Sequence, residues 1–185
     1  MKTSNYFINY FETLYQSYQS IDPAQLEKVA KLVRETYHSR GKIILIGNGG
    51  SAAIASHLSI DLTKAAKIRA INFNEASLLT CFSNDYGYEH WVEKAIEFYA
   101  DKNDLVILIS SSGQSKNIIN GAKKAEDIKL PLVTLSGFMK DNPLRSMGDI
   151  NLWVNSTDYN MVENTHQIWL LSVVDYLIEN GQSKE

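Results

Sequence analysis

A single cysteine, Cys81, and three prolines are all that this chain of 185 residues contains of either type. A lone thiol excludes a disulfide framework and any multi-cysteine metal cluster, so folding must rest on an apolar core. Cys81 lies in the apolar stretch Leu78-Leu79-Thr80-Cys81-Phe82 and reads as a buried thiol in a reducing compartment, not as a nucleophile. No apolar run approaches the length needed to cross a bilayer, and the first residues, Met1 to Asn5, lack the continuous apolar segment of a signal peptide. Together these absences read as a cytoplasmic protein with no membrane partner. Basic blocks are also missing. The 18 Lys and Arg against 21 Asp and Glu leave a formal charge of -3, which offers no positive field for nucleic acid. Any phosphate must be held by local groups.

What is present is 44% hydrophobic residues, enough for one compact domain spanning 1–185. The first segment, Asn5 to Tyr18, sets Phe7, Tyr10, Phe11, Leu14, Tyr15 and Tyr18 at helical spacing, a broad aromatic face whose natural cover is a partner subunit. Asp22-Pro23-Ala24-Gln25 supplies a cap, a first-turn proline and a glutamine at the third helical position, ahead of a helix running to Gly41. Short runs at Lys42–Ile46, Arg69–Phe73, Leu105–Ile109, Leu130–Leu135 and Ile150–Val154 read as strands, that at Leu105–Ile109 almost wholly aliphatic. Helical patterns follow from Ser51 to about Ala65, around Trp91–Tyr99, from Lys116 to about Asp127 and from Met161 to Ile178. The stretch between Phe73 and Trp91 reads as mixed. Alternation of this kind predicts an α/β fold, a three-layer αβα sandwich around a five-stranded parallel sheet.

Two loops stand out in that frame, Gly47-Asn48-Gly49-Gly50-Ser51 and Ser110-Ser111-Ser112-Gly113-Gln114-Ser115. Each follows a strand and opens a helix, where small residues let the backbone approach a phosphate and the helix start offers free amides. Neither is a Walker sequence, and Gly47-x-Gly49-x-x-Ala52 meets the dinucleotide fingerprint only in relaxed form, so a small phosphorylated ligand is the better reading. In an open parallel sheet both loops should converge on one crevice beyond the strand ends.

These loops, with His57 six residues past Ser51, Asn84-Asp85 ahead of Gly87, and Ser110-x-Ser112-Gly113-x-Ser115, resemble the sugar isomerase (SIS) domain family in its phosphoheptose isomerase branch. The resemblance runs over nearly the whole chain. It implies interconversion of an aldose and a ketose, with sedoheptulose 7-phosphate or a close analogue as substrate, for surface polysaccharide synthesis. It also implies a homotetramer with sites between subunits and the helical segment of about 1–40 used for assembly. Some relatives only bind, so a silent phosphosugar-binding module is the alternative. Carried over by motif, Ser110, Ser111, Ser112 and Ser115 hold the phosphate, while Asn48, Gly49, Ser51 and Asp85 face the sugar. The family's His-x-x-x-Glu reads here as His57-x-x-x-Asp61, its Gln-x-x-His as Glu163-x-x-His166, and Leu171 stands where its last histidine belongs.

Isomerisation needs a base beside the carbonyl and an acid or metal for the enediolate. His57 and Asp61 share one helical face, as do Glu163 and His166. Asp61 is therefore expected as the base, with His166 or Glu163 filling the role left open at Leu171. Zinc on His57, Asp61 and Glu163 is the metal alternative, with His166 as a hydrogen-bond partner of a ligand or as the proton carrier. Taken singly, each histidine has a purely structural reading too.

Overall fold

A computed structural model describes residues 3–181, so Met1, Lys2 and residues 182–185 of the expected domain lie outside the described residues. In chain order the elements are α1 (Thr3–Tyr18), α2 (Pro23–His38), β1 (Ile43–Gly47), α3 (Gly50–Lys64), β2 (Ala70–Asn72), α4 (Ala76–Tyr86), α5 (Trp91–Tyr99), β3 (Leu105–Ser110), α6 (Lys116–Asp127), β4 (Leu132–Ser136), a 3-10 turn (Pro143–Ser146), β5 (Ile150–Trp153) and α7 (Tyr159–Glu179). The five strands form one parallel sheet in the order β2-β1-β3-β4-β5. The predicted α/β sandwich is therefore present.

Its sheet is covered on both faces, which is why β1 and β3 read as aliphatic runs up to their last residue and why β4 is buried throughout. Ile43, Leu45, Ile107, Ile109 and Leu135 point to one side, where Val29 and Val33 of α2, Leu58 of α3 and Trp169 and Val173 of α7 bury against them. Ile44, Ile46, Val106 and Leu108 point to the other, against Trp91 and Ile96 of α5 and Ile118 and Ala122 of α6. The lower ends of β1 and β3 are tied by the fully buried Asp104. Its carboxylate accepts from the amides of Lys42 at 2.8 Å and Asp101 at 2.7 Å and from the Lys42 ammonium. Helix α1 lies on α7, with the Trp169 indole donating to the Tyr18 carbonyl at 2.9 Å and the Thr165 hydroxyl to Ser17 Oγ at 2.9 Å. The aromatic face of α1 is otherwise open, with Phe7, Phe11 and Tyr15 exposed.

Two expectations change. The mixed stretch contains helix α4, capped by the Glu75 carboxylate, which accepts from the amides of Ser77 at 2.9 Å and Leu78 at 2.8 Å. None of its residues is fully buried, so no strong apolar stripe announced it. Cys81 on this helix is exposed, not buried. Desolvation and the adjacent Asp85 carboxylate raise the thiol above its ordinary value, which keeps it protonated and unreactive. Among the described residues no helix is long and apolar enough to cross a membrane.

Candidate functional site

Strand order reverses direction between β1 and β3, and the two phosphate-type loops leave the carboxyl ends of those neighbouring strands. They open together on one cleft of about 410 Å³, lined by Asn48, Gly49, Gly50 and Ser51 from the first turn and Ser110, Ser111, Ser112 and Ser115 from the second. Tyr159 and Glu163 of α7 complete its wall. The crevice expected from the sequence exists, and it is built at the switch point of the sheet.

The two turns are joined by side chains. Asn48 and Asn117 exchange amide hydrogen bonds, Nδ2 to Oδ1, at 3.0 and 2.9 Å, and the Tyr88 hydroxyl adds a bond to Asn48 Oδ1 at 3.1 Å. Asn48 thus lines the cleft, but its polar atoms clamp α6 to the first loop instead of standing free. In the second turn Ser110 Oγ donates to Ser115 Oγ at 3.2 Å, and Ser112 Oγ accepts from the Gln114 amide at 3.2 Å. Gly113 turns the chain at φ 65°, and a Cβ there would fall 1.9 Å from Asn142 Oδ1. Asn142 is buried and acts as a peg beneath the loop. It donates to the carbonyls of Gly137 at 3.0 Å and Met139 at 2.7 Å and accepts from the Arg145 amide at 3.0 Å.

Electrostatics separate the two helix starts. Helices α2, α4 and α7 are each capped by a carboxylate, from Asp22, Glu75 and Asp158. Helices α3 and α6 have no side-chain cap bond, so their first amides remain available to an anion. Over α3, however, the Glu163 carboxylate rests against Gly50 so closely that a Cβ there would lie 2.1 Å from Oε2. Ser111 Oγ donates to Glu163 Oε1 at 3.4 Å. With α3 already facing a carboxylate, the start of α6 and its serines form the better seat for a phosphate.

Four expected site residues lie elsewhere. Asp85 is exposed in the last turn of α4, where it accepts from Asn84 Nδ2 at 2.9 Å and stays outside the cleft lining. His57 and Asp61 are seven and eleven residues past Gly50, and a rise of 1.5 Å per residue carries His57 about 10 Å along α3, away from the cleft. There His57 Nε2 lies 3.2 Å from Asp61 Oδ2, and Gln167 Nε2 of α7 meets His57 Nδ1 at 3.1 Å. His166 is fully buried, its Nε2 donating to the Ser136 carbonyl at 3.0 Å while Nδ1 has no partner. Burial pushes its imidazole down to about 4, outweighing the Ser136 bond, so it is neutral and shut away from substrate. The proton-carrying role read for His166 is corrected to a core position.

The zinc set also fails to form within the chain. Among the described residues no three His, Cys, Asp or Glu side chains group around a common point. His57 and Asp61 are paired with each other, whereas Glu163 is committed to Gly50 and Ser111. Leu171 packs against the main core and offers no donor.

Fold and crevice therefore define a class, an open parallel α/β domain with an anion seat at its switch point. The chain belongs to the SIS domain family, whose model matches residues 6–137. It is similar to the phosphoheptose isomerase of Helicobacter pylori, 34% identical over 175 residues that cover 91% of this chain and 90% of that one. The phosphoheptose isomerase of Aliarcobacter butzleri is 38% identical over 147 residues, covering 76% and 77%. The solved phosphoheptose isomerase from Neisseria gonorrhoeae superposes with a TM-score of 0.87 at 25% identity, over 96% of this chain and 99% of that one. Asn117, Tyr159, Asn142 and Gln167 were missed in the sequence. Only Asn117 carried a signal, an asparagine in a helix first turn where a better helix former is usual.

Proposed function

We propose that the chain is an aldose-ketose isomerase of the phosphoheptose type, acting on sedoheptulose 7-phosphate in the cytoplasm and serving surface polysaccharide synthesis. The observation that carries this reading is the single cleft shared by Gly47–Ser51 and Ser110–Ser115, with two helix starts free of side-chain caps. Phosphate sits at the start of α6 against Ser110, Ser112 and Ser115, and the sugar extends past Ser51 toward Glu163. Asp61 takes the proton from carbon 1. The C1–H electron pair becomes the C1–C2 double bond, and the carbonyl oxygen on carbon 2 takes up a proton. Loss of the hydroxyl proton on carbon 1 and return of a proton to carbon 2 then give the aldose. Glu163, in the cleft beside Ser111, moves the oxygen-borne proton.

Asp61 and its partners occupy an exposed face outside their own chain's cleft, and the aromatic face of α1 is uncovered. Both features support a homo-oligomer, a tetramer, in which this face of one copy completes the cleft of another. No step runs through a metal. Leu171, apolar where the family places a histidine, favours a second reading, a silent phosphosugar-binding module. Incubation with sedoheptulose 7-phosphate in deuterated water separates the two: the isomerase incorporates deuterium beside the carbonyl, whereas binding without exchange removes that activity.

A further inference from the structure

Three positions of α7, residues 163, 167 and 171, are spaced four apart and so form one stripe along the helix. In this chain they read Glu, Gln and Leu. Glu163 is drawn to the start of α3, Leu171 packs against the core, and Gln167 reaches His57 on α3.

The Gln167 bond fixes the state of the imidazole. An amide nitrogen can only donate, so His57 Nδ1 must present its lone pair to Gln167 Nε2. In the neutral ring the proton then resides on Nε2, which faces Asp61 Oδ2 at 3.2 Å and donates to it. Both ring nitrogens are thereby occupied, and neither offers a lone pair to a cation. A metal needs that lone pair together with further donors, and the stripe supplies none at Leu171.

We propose that Gln167 is a positioning residue which locks His57 and Asp61 into a metal-free dyad, holding the Asp61 carboxylate by the His57 Nε2–H so that the chain works without zinc. The inference rests on the isomerase reading for its catalytic consequence, and its structural half stands apart from turnover. Gln167 is half-buried at the α3/α7 contact and does not line the cleft of the serine loops, so its removal spares the phosphate seat.

The test uses the full chain with histidine labelled in its ring nitrogens, the Gln167→Met and Gln167→Glu variants, and the Gln167→Glu/Leu171→His double variant. Wild type shows His57 as the Nε2–H tautomer in nitrogen spectra, retains no stoichiometric zinc after equilibrium dialysis, and keeps its turnover after chelation. Gln167→Met lowers kcat with KM unchanged and abolishes the single-tautomer signature, while in Gln167→Glu the new carboxylate accepts from the ring, so Nδ1 carries a proton. The double variant binds zinc about tenfold more tightly than wild type, the scale on which groups around a metal site act. One zinc per wild-type chain after dialysis, or an Nε2–H signature unchanged in Gln167→Met, overturns the proposal. Lack of turnover in wild type would instead overturn the isomerase reading, because tautomer and zinc content are still read.

Discussion

Replacing Gly113 by alanine attacks the second turn at its tightest point. The residue sits at φ 65°, where an L side chain costs about 1–2 kcal/mol. The new methyl would also stand 1.9 Å from Asn142 Oδ1 and 2.3 Å from its Cγ, so Asn142 has to leave its buried position. Its bonds to Gly137, Met139 and Arg145 are then lost or strained, at about 1 kcal/mol each. Because relaxation recovers part of this, the sum comes to about 3–5 kcal/mol, large for a single domain. Urea unfolding reads the stability, and calorimetric titration with inorganic phosphate reads the seat, which should weaken since Ser112 and Ser115 flank Gly113. Stability within 1 kcal/mol of wild type, or unaltered phosphate affinity, would refute the peg-and-loop reasoning.

His166 makes stability depend on pH. Its folded value is near 4 against an ordinary 6.5, so the unfolded chain binds the extra proton between those limits and stability falls as pH drops from 6.5 to 4, by about 3 kcal/mol in all. Urea midpoints measured across that range should shift accordingly, and His166→Gln should flatten this component; an unchanged slope would count against the buried neutral ring. Ser112→Ala should raise KM with little change in kcat, whereas Asp61→Asn should abolish turnover with affinity largely intact, and steady-state kinetics with binding titrations distinguish them. Full activity in Asp61→Asn would remove it as the base. Asp104→Ala strands two amides at the base of β1 and β3 and leaves the Lys42 ammonium only its Asp101 partner, so thermal unfolding should report a loss of about 3 kcal/mol; a loss under 1 kcal/mol would contradict the assigned network.

Local chemistry was legible and tertiary register was not. The aliphatic run of β3 announced a central strand, because a parallel strand buried on both faces leaves no polar alternation, and the serine loops announced the cleft because strand and helix bracket them. Helix α4 escaped notice because it stands on a two-amide Glu75 cap instead of an apolar stripe. His166 was misread although Val162, His166, Trp169 and Val173 recur at core spacing, which places the ring on the buried face of α7. The apparent convergence of His57, Asp61, Glu163 and His166 failed for a different reason. Spacing within α3 and within α7 is a local property, whereas the level at which the helices meet is set by Glu163 seating on Gly50 and Gln167 on His57. Neither pairing can be read from one helix alone.

One sugar phosphate is expected to span both turns, its phosphate at the start of α6 and its sugar along the first turn. Backbone amide shifts followed during titration with sedoheptulose 7-phosphate address it directly. Amides in 49–51 and 110–116 should move together along a single binding curve. Movement confined to one turn, or shifts centred outside this cleft, would contradict it.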